Sequence, residues 1–99
     1  MNIILITTDG KRRKVNINTF DEARQLVCNF QYNSSAEIIV LMDGTFIVMD
    51  EDGKLKKLDK NHIATEIAHE NNSIYPSDYI AGDVLIVDDV DEFDGLPYE

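Results

Sequence analysis

His62, Glu66 and His69 stand four and three residues apart. On a helix this spacing brings them to one face, where two imidazoles and a carboxylate can bind a transition metal. The same spacing also describes the solvated side of a helix whose other side carries Ile63 and Ile67. A working centre would need a further ligand from elsewhere in the chain, so the trio is read as a solvated face and no metal ligand is assigned. Cys28 is the only cysteine. It falls in an apolar stripe near the expected C-terminus of a helix, where the helix dipole opposes a thiolate, so the thiol is read as packing and not as a nucleophile.

Other chemistries lack their parts. Gly10, Gly44, Gly53, Gly82 and Gly95 are scattered and form no phosphate-cradling loop. There is no cysteine pair for zinc and no nucleophile elbow around a serine. Asp50-Glu51-Asp52-Gly53 resembles a calcium loop only in part, because its glycine comes fourth and the downstream bidentate acid is missing. The expectation is a chain with no catalytic residue and no cofactor.

Two charged segments remain. Lys11, Arg12, Arg13 and Lys14 form a basic quartet that can contact a phosphate or an acidic partner, or can simply be a solvated turn. Asp88, Asp89, Asp91, Glu92 and Asp94, with Phe93 and Tyr98 interleaved, form an acidic C-terminal run. A row of carboxylates can occupy a basic groove as DNA phosphates do, although many charge runs only keep a terminus solvated. The candidate partner-binding residues are therefore Asp88, Asp89, Asp91, Glu92, Phe93 and Asp94.

The elements that must position these groups follow from period and turn chemistry. Asn2–Thr7 is apolar and β-branched and ends at Asp9-Gly10, while Lys14–Asn18 alternates; together they predict a hairpin with the basic quartet at its tip. Thr19 and Glu22 have capping-box spacing, and Phe20, Ala23, Leu26, Val27 and Phe30 then share one helical stripe. Ala36–Met42 and Thr45–Met49 flank Asp43-Gly44, the strongest short hairpin signal in the chain. Lys54–Leu58 reads as a short further strand, with lysines that discourage edge pairing. Asp59 is placed to cap a helix from about residue 60 to 70, with Ile63, Ile67 and Ala64 inward. Gly82–Val87 is the last strand. The order β-β-α-β-β-(β)-α-β predicts an α+β domain, a mostly antiparallel sheet of about five strands with two helices packed on it, over residues 1–87. Residues 88–99 follow as an acidic tail.

Ninety-nine residues fit one domain, and 43% hydrophobic content is too apolar for a disordered chain despite a net charge of −10. Residues 1–48 hold five acids and five bases, so the entire excess lies in the rest; from Asp78 onward there are eight acids and no base. Direct nucleic-acid binding there is disfavoured, because a duplex-binding surface needs clustered lysine and arginine. An acidic surface favours a basic protein partner. A lone thiol suits a reducing cytoplasm, and the apolar run Ile3–Ile6 lacks the basic flank of a signal peptide and the length of a membrane span.

The segment Val48-Met49-Asp50-Glu51-Asp52-Gly53-Lys54-Leu55, with Asn61, Ala64, Asp78-Tyr79-Ile80-Ala81-Gly82 and the Val84–Val87 run, resembles a small domain family of unknown function common in phages, plasmids and other mobile elements. In that family an acidic turn with Gly, Lys and Leu precedes a short helix carrying Asn and Ala, and Ile-x-Gly leads into a final strand and an acidic end. The N-terminal half matches in strand–helix order alone, and the polar stretch Glu70–Ser77 departs from the pattern. The resemblance implies an accessory protein, often encoded near host-interaction or anti-defence genes, and brings no catalytic residue with it. The expected function is non-enzymatic binding of a host protein through an acidic face, as an anti-defence inhibitor or DNA mimic. The alternatives are a small-molecule binder that sequesters nucleotides and a purely structural interaction domain.

Overall fold

β-Branched and apolar residues line every strand near the middle of a five-stranded antiparallel sheet. The computed structural model describes residues 3–29 and 34–88. Its elements are β1 (Ile3–Ile6), β2 (Arg12–Lys14), α1 (Phe20–Val27), β3 (Ala36–Val40), β4 (Phe46–Asp50), α2 (His62–Glu70) and β5 (Val84–Val87). The strand order is β2-β1-β5-β4-β3, with every neighbouring pair antiparallel. The expected α+β architecture is the one observed.

Strand side chains alternate between faces, and both faces are apolar. Ile3, Leu5, Phe46, Val48, Leu85 and Val87 pack with Phe20, Ala23 and Val27 of α1. Ile6, Ile47, Met49 and Val84 pack with Ala64 and Ala68 of α2. One helix therefore covers each face. All five residues of β4 are buried because both layers meet on it, and enclosing a side chain such as Phe46 contributes about 1.5–3 kcal/mol.

Local chemistry sets the helix starts. Thr19 caps α1, its hydroxyl accepting from Glu22 N at 3.1 Å, while the Glu22 carboxylate accepts from Asn18 N at 3.1 Å. The second helix begins later than the sequence suggested. Asn61, not Asp59, is its cap: Oδ1 accepts from Ala64 N, and the amide donates to Ile6 O and Gly82 O, each at 3.0 Å. Asp59 is exposed and Asn61 wholly buried, so the residue with tertiary partners wins the cap.

Lys54–Leu58 also differs from expectation. Residues 51–57 form successive turns instead of a strand. The Asp50 carboxylate accepts from Asp52 N at 2.9 Å, Gly53 N donates to Asp50 O, and Lys56 N donates to Asp52 O, which curls the chain. Gly53 lies so close to the backbone of residues 80–82 that a Cβ there would sit 2.6 Å from Ala81 O. The pattern Asp50–Leu55, Asn61, Ala64 and Ile80–Gly82 thus forms one packed knot joining turn, helix start and last strand.

Candidate functional site

The basic quartet is not gathered at a hairpin tip. The turn closes early, with Thr7 N donating to Lys11 O and Gly10 N to Thr7 O, so Arg12, Arg13 and Lys14 themselves form edge strand β2 in place of the expected Lys14–Asn18. Arg12 and Lys14 lie opposite Ile6 and Ile4, while Arg13 lies opposite Leu5. The pairing sends Arg13 to the sheet face away from Arg12 and Lys14. Lys11 remains in the turn, 3.8 Å from the Asp9 carboxylate. All four cations are exposed, and the register divides them.

Asp88 is the single described member of the acidic run and is exposed. Asp89, Asp91, Glu92, Phe93 and Asp94 lie outside the described residues. The topology nevertheless fixes where the run departs. β5 ends at Val87, opposite Ile3 and Phe46, at what we term the lower end of the sheet. The β3–β4 turn with Asp43 is at this end. So is the first turn of α1, with Asp21 and Glu22: Val15 N bonds Ile3 O three residues before the Asn18–Thr19 cap, while the other end of α1 meets Ser34 at the top of β3 through Arg24. Helix α2 descends from Asn61, beside Ile6, to Asn71, whose side chain accepts from Met42 N, so Glu70 arrives there too. Asp21, Glu22, Asp43, Glu70 and Asp88 are all exposed. Five carboxylates therefore ring the end from which the acidic run leaves.

The structure separates the α2 trio. His62 and Glu66 are exposed, whereas His69 is partly buried with its Nε2 2.9 Å from Asp78 O, tying the helix to the following loop. Among the described residues no group of three or more His, Cys, Asp or Glu side chains could hold a metal ion.

One polar cluster escaped the sequence reading. Asp50 is buried at the upper end of β4, and Lys56 Nζ lies 2.6 Å from its Oδ2. The same ammonium donates to Ser34 Oγ, and Arg24 donates to Ser34 O at 3.0 Å. The lysine thus donates to two acceptors, the Asp50 carboxylate and the Ser34 hydroxyl. That arrangement compensates a buried carboxylate. Cys28 lies in the core beneath it. Burial pushes its thiol pKa up, the Asp50 carboxylate adds to the rise, and Lys56 and Arg24 oppose it. The thiol is protonated and enclosed.

A groove of about 320 Å3 runs beside edge strand β3, floored by Ile39, Met49 and Ile74 and walled by Glu37, Lys54 and Tyr79. It continues into a second hollow of about 550 Å3 between Glu37, Ile39 and the 72–78 loop, where Tyr75 stands. Lys54 bridges to Asp78 and lies 4.9 Å from the Tyr79 ring centroid. The Lys54 hydrogen bond is the main cause holding the Asp78 carboxyl below its ordinary pKa of 3.8, with Tyr79 N helping. The signal for this groove in the sequence was slight, because Ile39 and Met49 read as ordinary members of two apolar strand runs.

Among the described residues no helix is long and apolar enough to cross a membrane. No protein-family model matches the chain, and neither does any curated protein or solved structure.

Proposed function

We propose that this chain is a non-enzymatic accessory protein of a phage or mobile element that acts in the cytoplasm by binding a basic host protein through its acidic end. The observation carrying this reading is the gathering of Asp21, Glu22, Asp43, Glu70 and Asp88 at the end of the sheet where the acidic run departs. Arg24 answers Asp21 at 3.1 Å and exposed Lys14, opposite Ile4, stands toward the same end, so two cations face five carboxylates there. A surface with this surplus attracts cationic groups and speeds encounter with them at low salt. An anti-defence inhibitor or a mimic of DNA phosphates needs such a surface. The nucleotide-sequestering alternative is less well supported, because β2 distributes its cations over two faces.

The test is capture of host proteins at low and at moderate salt, with a variant carrying Asp89, Asp91 and Asp94 changed to Lys. The reading expects a basic partner retained at low salt, released as salt rises and lost with the variant. A captured protein indifferent to both changes refutes it.

A further inference from the structure

Apart from Leu58, which lies against Gly82, the large exposed apolar side chains of the described residues lie on or near one edge. Val40 (62% exposed) and Met42 (77%) lie at the lower end of β3, Leu55 (82%) and Tyr79 line the groove beside it, and Tyr75 (79%) stands over the continuation. β3 is an outer strand of the sheet. Its ladder to β4 uses alternate residues: Glu51 N donates to Ser35 O and Leu41 N to Thr45 O. The antiparallel pattern then turns the backbone N–H and C=O groups of Ala36 and Ile38 away from β4. Ser73 Oγ covers Val40 O at 3.2 Å, closing only the lower end of this edge. Among the described residues nothing pairs with the outward groups of Ala36 and Ile38.

The opposite edge is different. β2 consists of Arg12, Arg13 and Lys14, all exposed, and cations on an edge strand deter pairing. β3 has no cation, and its one charged residue is Glu37. Glu37 and Ile39 lie on the groove side, with Glu51 and Asp78 nearby.

We propose that β3 captures an extended basic peptide, with lysine or arginine alternating with apolar residues, by strand addition. Peptide backbone groups would pair with Ala36 and Ile38, cations would meet Glu37 and Glu51 on the groove side, and the alternate apolar side chains would fall on the other face, beside Ile38 and exposed Val40. Tyr75 offers a ring face for a guanidinium. A second copy of this chain fits less well, because each copy carries a net charge of −10 and would bring Glu37 and the groove acids against their counterparts. The inference rests on the reading of a basic partner and adds the form in which part of that partner is held.

The experiment titrates the full chain with a capped seven-residue peptide alternating lysine and valine, and with its glutamate–valine counterpart, following backbone amides by NMR. The lysine peptide is expected to bind saturably, with shifts and slowed hydrogen exchange at Ala36 and Ile38. Ala36→Pro removes an outward N–H at the first residue of an edge strand and leaves the ladder to β4 intact. It is expected to weaken binding about tenfold, the equivalent of one good hydrogen bond. Glu37→Lys, at an exposed position, provides a second reading and is expected to transfer preference to the glutamate peptide. Unchanged lysine-peptide binding in either folded variant overturns the proposal, as do shifts confined to the lower acidic end. Concentration-dependent shifts at β3 without peptide also overturn it, in favour of a second copy. Changing Asp89, Asp91 and Asp94 to Lys is expected to leave peptide capture at β3 in place, so failure of the acidic-end reading is distinguished from failure here.

Discussion

Replacing Asn61 separates two explanations of why the start of α2 is buried. Its Oδ1 caps the helix, and its Nδ2 donates to Ile6 O and Gly82 O, each bond 3.0 Å long. Asn61→Ala removes the cap, about 1 kcal/mol, and two buried donors, about 1 kcal/mol each. The sum is about 3 kcal/mol, a large share of the 5–15 kcal/mol typical of a domain. For a chain of this length that corresponds to a melting temperature lower by about 12–24 °C. Asn61→Asp makes the distinction sharper. Aspartate caps as well as asparagine, so an isolated capping role predicts almost no change. A role in joining β1 to the turn before β5 predicts a loss at least as large as with alanine, because a carboxylate would face two carbonyl oxygens. Urea denaturation followed by circular dichroism measures both variants. An Asn61→Asp protein within about 0.5 kcal/mol of the parent would refute the joining role.

Two further outcomes follow from the same region. Gly53→Ala is expected to destabilise by about 1–3 kcal/mol, because the added Cβ would sit 2.6 Å from Ala81 O and the backbone must shift; φ at Gly53 is not positive, so an open turn would instead gain about 0.4–1 kcal/mol from the same change, and thermal melting reads the sign. Asp78 has a folded-state pKa held below 3.8 chiefly by Lys54, so its contribution is present above that value and disappears as pH falls through the folded one; Lys54→Met is expected to return the Asp78 titration towards 3.8 and to move acid unfolding to higher pH, both measurable by NMR.

Local signals explain which parts of this fold were legible. Thr19 and Glu22 specify the start of α1 through bonds within four residues, and Asp43-Gly44 specifies the β3–β4 turn, where Asp43 accepts from Thr45 N and Thr45 Oγ1. The errors occur where distant partners decide. Asp59 and Asn61 are both good caps, and the choice falls to Asn61 because Ile6 O and Gly82 O, brought near by folding, need donors. Lys54–Leu58 follows a hairpin and a turn, where a short edge strand would fit, yet buried Asp50 takes Lys56 as its partner and closes the segment into turns. The edge groove was illegible for a related reason. An isoleucine at 39 looks like core until strand order is known, and strand order puts β3 outermost.

The two edges of the sheet also differ in how they are guarded against pairing with other copies. An outer strand with outward backbone groups and apolar neighbours invites pairing with any extended chain. At β2 the guard is local, three adjacent cations on the strand itself. At β3 the guard is global, since a molecule with net charge −10 repels its own copies over a range set by the ionic strength. Cations on the strand itself oppose cationic chains, whereas a net negative charge over the whole molecule opposes acidic ones and admits cationic ones. In the proposed capture the excess of carboxylates and the unguarded strand would act together, the first selecting which chains approach and the second holding those that arrive in extended form.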